Sequence, residues 1–329
     1  MRRSFNSTVR GFIIVLAMAA VFAAANPVQA GPTALAAMGD SLTATNTYTW
    51  SWTPWLVNRG LSFGTSYAYN VAEGGATSAT LISTHQDTRV RDWVAAGNVD
   101  VPVMMIGGND FLGIVTQLAS GTLSGTALTN TLNTTVNNIV SATDTVRGAH
   151  PDGFILCSVP NVLAAPALAS VRNDPNQAQR VINATNYVNG QLKAAAIARG
   201  APFIDLAALT SDIINSPLVV GGVTISTSGY GTDPTYFCID EIHPGTIGHG
   251  LMANLVIKTL NDSYHMTYAM FTDQEMLTIA GIGGQYTGET YSNTVDMGQY
   301  ITVPEPVTFS LISLAVLPLI ARRRRSLRR

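Results

Sequence analysis

Thr33-Ala34-Leu35-Ala36-Ala37-Met38-Gly39-Asp40-Ser41-Leu42 decides how this chain is read: a short unbroken apolar run, then a glycine, an acid and a serine. An apolar run without polar alternation fits a strand covered on both faces, as in a parallel sheet. Comparable runs bounded by turns stand at Tyr67 to Ala72, Val101 to Ile106, Phe154 to Val159 and Phe203 to Leu206. Between them, apolar residues three and four apart predict helices over Leu56 to Leu61, Leu128 to Val146 and Ala178 to Arg199, with Gly200 as a C-terminal stop. Strands alternating with helices predict an α/β fold with a mostly parallel sheet between two helical layers, whose ligands gather beyond the carboxyl ends of the strands. No internal repeat is evident. Ser120 to Thr135, rich in Gly, Ser, Thr and Asn, reads as a mobile connection or a weak helix start.

The order of these runs places Ser41 at the carboxyl end of the first strand, where a nucleophile is useful; the plainer reading is a turn in which Asp40 or Ser41 caps the next helix. Two glycine-bearing turns end later strands on the same edge: Asn70-Val71-Ala72-Glu73-Gly74-Gly75 and Gly107-Gly108-Asn109-Asp110. A glycine amide or an asparagine side chain can donate to a developing oxyanion, although such turns are also common for their own sake. Asp240-Glu241-Ile242-His243-Pro244 precedes a helical pattern with Ile247, Leu251, Leu255 and Val256 on one side. An Asp three residues before a His can accept the Nδ1 proton and leave Nε2 to take a proton from a hydroxyl. The plainer reading is a capping carboxylate beside a chance histidine. His249 competes but has no acid three residues before it, and His85, His150 and His265 lack ligand-spaced partners, so no metal site is expected.

These four pieces, in this order, resemble the GDSL, glycine, GxND and DxxH blocks of the SGNH (GDSL) hydrolases, and the resemblance spans most of residues 33 to 262. It implies a three-layer α/β/α architecture around a mostly parallel five-stranded sheet, flavodoxin-like in form. It also implies a serine esterase without cofactor: Ser41 as nucleophile, His243 as general base, Asp240 as its orienting acid, and an oxyanion hole from the Ser41 amide, the Gly75 amide and the Asn109 side chain. The Asn-x-x-x-x-Gly spacing from Asn70 favours Gly75 over Gly74. Gly245 departs from the pattern, standing where a helix-capping Thr is usual, and Thr246 is expected to take that role with a one-residue shift of the helix start. The competing α/β-hydrolase reading requires Gly-x-Ser-x-Gly, which the chain lacks. The acyl part is open between a carbohydrate O-acetyl group, a lipid and a general short-chain ester. The alternative class is a surface-displayed binding or structural protein that keeps this scaffold without turnover.

Both ends read as addresses. Arg2, Arg3 and Arg10, an apolar run from Phe12 to Ala25, Asn26-Pro27 and the small residues before Gly31 predict a signal peptide over 1–30 rather than a retained anchor, because the run is shorter than the roughly 20 residues a spanning helix uses. At the other end Val303-Pro304-Glu305-Pro306, an apolar run from Val307 to Ala321 and an arginine block ending at Arg329 resemble a PEP-CTERM sorting signal over 303–329. That resemblance implies transient membrane insertion, processing by an exosortase-type enzyme after the signal peptidase, and export to the periplasm, cell surface or extracellular matrix. An ordinary tail anchor is the plainer reading, against which Pro318 and the short run count.

Of 18 Lys and Arg in the 329-residue chain, nine lie in these ends. The body from 31 to 303 keeps nine cations against nineteen Asp and Glu, a formal balance of −10, and offers no basic stripe for nucleic acid. A hydrolase domain over 31–262 is expected, followed by 263–302 as an extension without assigned role in which Met266 to Ile282 reads as helical. Cys157 and Cys238 read equally as a disulfide or as two buried thiols. Tyr48, Trp50, Trp52 and Trp55, close behind Ser41, read first as packing for the first helix and second as a stacking surface for substrate.

Overall fold

A computed structural model describes residues 34–45, 51–282 and 295–304. The leader over 1–30, Tyr48, Trp50 and the C-terminal segment from Glu305 onward lie outside the described residues. The first half of the body runs β1 (Leu35–Gly39), α1 (Trp52–Asn58), α2 (Ser78–Ser83), α3 (Gln86–Ala95), β2 (Val101–Met105), α4 (Gly108–Ser120), α5 (Gly125–Arg147) and β3 (Ile155–Cys157). Then follow α6 (Ala169–Arg172), α7 (Pro175–Ala198), β4 (Phe203–Ile204), α8 (Leu206–Asn215), β5 (Leu218–Val220), β6 (Val223–Tyr230), β7 (Tyr236–Cys238), α9 (Thr246–Tyr264), α10 (Asp273–Ile279) and β8 (Ile301–Thr302).

The main sheet has the order β1-β2-β3-β4-β8. Its first four strands pair in parallel, and β8 closes the β4 edge in antiparallel sense. Successive strand residues point to opposite faces, which explains why these runs carry no polar alternation. Leu35, Ala37, Val101, Val103, Met105, Ile155 and Cys157 enter the layer formed with α1, α8, α9 and α10. Ala36, Met38, Met104, Leu156 and Phe203 enter the layer formed with α2 to α5 and α7. The helices present matching stripes: Leu132, Val136, Ile139 and Val146 are buried on α5, and Val181, Val188 and Leu192 on α7. Asp174 caps α7 by accepting from the amides of Asn176 and Gln177, with Pro175 at the first helical position. The α/β layering and the mostly parallel five-stranded sheet therefore hold.

Several elements differ from the sequence reading. The run from Tyr67 to Ala72 lies along the outer edge of β1 but forms only an isolated bridge, Ala37 to Asn70, flanked by Val71 N–H donating to Ala37 O at 2.9 Å. Positive φ at Ser66 and Tyr67, 53° and 60°, turns the chain before a longer ladder can form. The fifth strand comes instead from Ile301–Thr302, in the stretch to which no role was assigned. Within Met266 to Ile282 only α10 is helical, started by a capping box of Thr272 and Glu275. Most of Ser120 to Thr135 belongs to α5, which begins at Gly125. A second sheet, β5-β6-β7, has no counterpart in the sequence reading; its first two strands form a hairpin at Gly221-Gly222, both with positive φ. Cys157 and Cys238 are buried free thiols. Burial pushes the Cys238 thiol up to about 12, and Asp240 adds to that push.

The edge formed by β8 generates a stability prediction. The Tyr300 carbonyl accepts from Asp205 N–H at 2.7 Å, and its hydroxyl donates to Asp212 Oδ2 at 2.8 Å. Tyr300→Phe is expected to cost about 1 kcal/mol, which in a domain of this size lowers Tm by roughly 2–4 °C in thermal unfolding followed by circular dichroism. Ending the chain after Asp296 removes the strand as well and should lower Tm further. An unchanged Tm in the truncated protein would show that β8 holds nothing.

Candidate active site

The site begins where β1 ends. In the parallel register Gly39 lies opposite Met105, and a Cβ on Gly39 would stand 1.9 Å from the Met105 carbonyl oxygen. Close approach, added to a φ of 150°, is why only glycine fits there. The following turn is closed by Asp40, whose Oδ1 accepts from Leu42 N–H at 3.0 Å and whose carbonyl accepts from Thr43 and Ala44. Asp40 is thus the turn-forming residue, which leaves the Ser41 hydroxyl available at the rim.

From the far end of the chain, the loop between β7 and α9 brings the histidine. Cys238 and Pro244 form a bridge, and Ile239 N–H donates to His243 O at 3.0 Å, so the loop is tight. His243 Nε2 stands 2.8 Å from Ser41 Oγ, and its Nδ1 stands 2.8 Å from Asp240 Oδ2. With the carboxylate accepting at Nδ1, Nε2 is left as the acceptor for the serine proton. Asp240 Oδ1 also accepts from the amides of Ile242 and His243, at 2.8 and 2.6 Å. Partial burial pushes this carboxyl up, but the bonds from His243 and Ile242 outweigh it and hold the group below the usual carboxylate range. Helix α9 starts one residue beyond Gly245, which is itself the N-cap and carries no side-chain cap; Thr246 is the first helical residue and does not take the capping role expected of it. His249 is buried within α9, burial pushes it down to about 3, and among the described residues nothing hydrogen bonds to its Nδ1. It is a neutral core histidine.

Asn109 is the second residue of α4, and its Nδ2 donates one hydrogen to Ala76 O at 2.9 Å, leaving the other available. The adjacent Asp110 accepts from Ser78 N–H at 2.8 Å and from the Ser78 hydroxyl at 2.6 Å. Two neighbouring side chains of α4 therefore hold the turn that carries Gly75. Gly75 has a φ of 78° with open space where a Cβ would be, so its backbone conformation, and not crowding, calls for glycine. Among the described residues, no hydrogen bond occupies the Ser41 or Gly75 N–H. The Asp110 to Ser78 tie escaped the sequence reading: Asp110 was visible beside Asn109, but nothing marks a serine 32 residues away as its partner.

Trp52 and Trp55 are fully buried, edge-on to Phe63 and Phe271 at ring separations of 5.8 and 4.7 Å, so these two pack the first helix. A cavity of about 70 Å³ opens beside Ser41, Asn109 and His243. Among the described residues no group of three or more His, Cys, Asp or Glu could hold a metal ion.

Asp40, only 2% exposed, generates a pH prediction. Burial pushes its carboxyl up to about 7; the Leu42 amide and His243 pull it down, and Asp110 pushes it up. A carboxyl that keeps its proton longer in the folded than in the unfolded state contributes stability that is full below about pH 4 and is lost as pH rises through about 7. The slope approaches 1.4 kcal/mol per pH unit inside that window. Denaturant unfolding from pH 4 to 7 should show Asp40→Asn lacking that part of the fall; identical slopes in the two proteins would show that Asp40 ionises normally.

Comparison with known proteins adds the family. Among solved structures, the chain is similar to Axe2, an acetylxylan esterase from Geobacillus stearothermophilus (17% identity, 69% of this chain and 94% of that chain covered, TM-score 0.42). It is also similar to the lipase Lip_vut3 from a goat rumen metagenome (16%, 69% and 96%, TM-score 0.48). A third is LAE5, described as an alpha/beta hydrolase enzyme, from the metagenome of Lake Arreo, Spain (18%, 72% and 98%, TM-score 0.40). No curated protein matches. The model of the GDSL-like lipase/acylhydrolase family matches residues 35–256, from the first residue of β1 into α9, and the chain belongs to that family of ester hydrolases.

Proposed function

We propose that the chain is an exported serine esterase that cleaves carboxylic esters through an acyl-enzyme on Ser41. The observation that carries this reading is the unbroken series of contacts from Asp240 through His243 to Ser41, each 2.8 Å long. Ser41 Oγ attacks the ester carbonyl carbon while His243 Nε2 takes the hydroxyl proton, and the Asp240 carboxylate stabilises the imidazolium that results. The tetrahedral oxyanion is met by the Ser41 amide, the Gly75 amide and the free hydrogen of the Asn109 side chain. Collapse breaks the bond to the alcohol oxygen, which leaves with the proton from His243. Water then attacks the acyl-enzyme as His243 takes its proton, and Ser41 regains a proton as the acid departs. None of these steps calls for a metal or cofactor.

The reading of export rests on the two ends of the sequence. A leader over 1–30 removed by signal peptidase, and a segment over 303–329 that inserts transiently and is cut by an exosortase-type enzyme, would deliver the body to the periplasm, cell surface or extracellular matrix. Substrates there would be small-molecule or glycan acyl esters, not nucleic acids.

Ser41→Ala should abolish hydrolysis of a short acyl ester and labelling by a fluorophosphonate while leaving the circular dichroism spectrum unchanged. Asn109→Ala should lower kcat by about a hundredfold or more with a much smaller change in KM, because its donor acts on charge that develops only in the transition state. Undiminished turnover in the Ser41 variant would remove that residue from the mechanism. N-terminal sequencing of the exported protein should begin at Gly31; a protein that retains Phe12 to Ala25 would instead be anchored.

A further inference from the structure

We propose that the cavity beside Ser41 is an acyl pocket sized for a short apolar chain, so that the protein prefers propionyl and butyryl esters to acetyl esters and to esters of long fatty acids. This rests on the esterase reading above and goes beyond it by naming the acyl class. The cavity carries Ser41, Asn109 and His243 at the reacting end, and its walls include Leu42, Leu112, Val162, Phe237, Ile242 and Met252. Three more polar side chains line it, and each is engaged inside the protein: Asp40, 2% exposed, accepts at Oδ1 from Leu42 N–H. Asn161 donates from Nδ2 to Ser211 Oγ at 3.0 Å and accepts at Oδ1 from Leu163 N–H, while Thr210 accepts from Asn161 N–H and donates to Leu206 O at 2.7 Å. A sugar ring seated there would lose its water and find at most the second Asn161 amide hydrogen and one Asp40 oxygen in return, whereas a hydrocarbon chain loses nothing. The alcohol part of the substrate therefore lies on the open side.

Size sets the chain length. An apolar cavity of about 150 Å³ accommodates benzene, so the roughly 70 Å³ available here holds about three carbons. Because that space begins at Ser41 and Asn109, the carbonyl carbon takes up part of it, and the acyl group that fills it is propionyl to butyryl. The far wall is fixed: Ala167 N–H donates to Glu241 O at 2.9 Å, tying the segment after Val162 to the histidine loop, and Arg172 holds Leu163 O at 2.7 Å. A fixed wall gives a cut-off instead of a gradual decline.

The test is kcat/KM of the purified protein against p-nitrophenyl acetate, propionate, butyrate, hexanoate and octanoate. Each methylene entering the pocket should raise kcat/KM about threefold to fourfold, hence about tenfold from acetate to butyrate, with a fall beyond. Leu112→Ala should move the optimum toward hexanoate and Val162→Phe should move it back toward acetate. A flat series, an acetate optimum or an octanoate optimum in the unmodified protein would overturn the pocket while leaving the esterase reading intact, and this arm decides even where a variant fails to fold. An optimum indifferent to both folded variants would overturn it equally. Failure to hydrolyse any of the esters, with no fluorophosphonate label on Ser41, would overturn the esterase reading and the pocket together.

Discussion

The parallel register of β1 and β2 is the constraint on which the rim of the sheet depends. Gly39 lies opposite Met105, and the backbones come so near that the space for a Cβ is already filled by a carbonyl oxygen. Because the two strands end level, the turn after one and the helix after the other start from the same height. The first gives Ser41 and the second gives Asn109. Parallel strands do this naturally, since every crossover returns the chain to the same end before the next strand begins. A side chain at position 39 would push the strands apart, and both groups would move with them.

Once level, the loops are held by ties that have little to do with the sheet. Asn109 and Asp110 reach across to Ala76 and Ser78, so the turn with Gly75 is fastened to the same helix that carries the asparagine. Asn70 donates to Thr43 O at 2.9 Å, which fastens the turn after Ser41 to the chain running beside β1. Asp240 closes its own loop through two amides before it meets His243. On the proposed mechanism, such preorganisation would place donors before charge develops and leave little to reorganise during the reaction. It also brings a cost: Asp40 is buried at the centre of these ties, and its carboxyl is disfavoured as an anion there.

What the sequence reveals of this structure follows from how local each feature is. β1 to β4 were legible because a strand buried on both faces leaves an apolar run that no neighbour can disguise. The second run, Tyr67 to Ala72, looked the same but turned at Ser66 and Tyr67, where a left-handed backbone leaves no mark in composition. β8 is two residues long and becomes a strand only because β4 has an open edge to pair with, so no periodicity could announce it. Helix α4 was hidden inside a motif read for its asparagine. At the site, Ser41, Asp240 and His243 stand out because each lies in a short motif, and the structure brings all three within hydrogen-bond reach, with Asn109 lining the same cavity. The Ser78 to Asp110 tie does not, because it depends on where a turn lands after folding.

The stretch beyond Tyr264 shows how a segment without a motif still bears on the chemistry. His243 stands just before α9, a helix buried along nearly its whole length, as expected of one wrapped on every side. Part of that wrapping comes from later in the chain. Asn254 pairs with the backbone of Phe271 through both ends of its amide, at 2.8 and 2.7 Å, and Asn261 does the same with Tyr268. Phe271 in turn lies against Trp55 and beneath the Arg59 guanidinium, itself paired with Glu275 at 2.6 Å. The helix that sets the height of the imidazole is therefore clamped between α1, just after the serine, and the chain after the last recognised motif. A histidine 202 residues away from its serine keeps a 2.8 Å contact because both sit on parts of one packed layer, and removal of the outer part would loosen the inner.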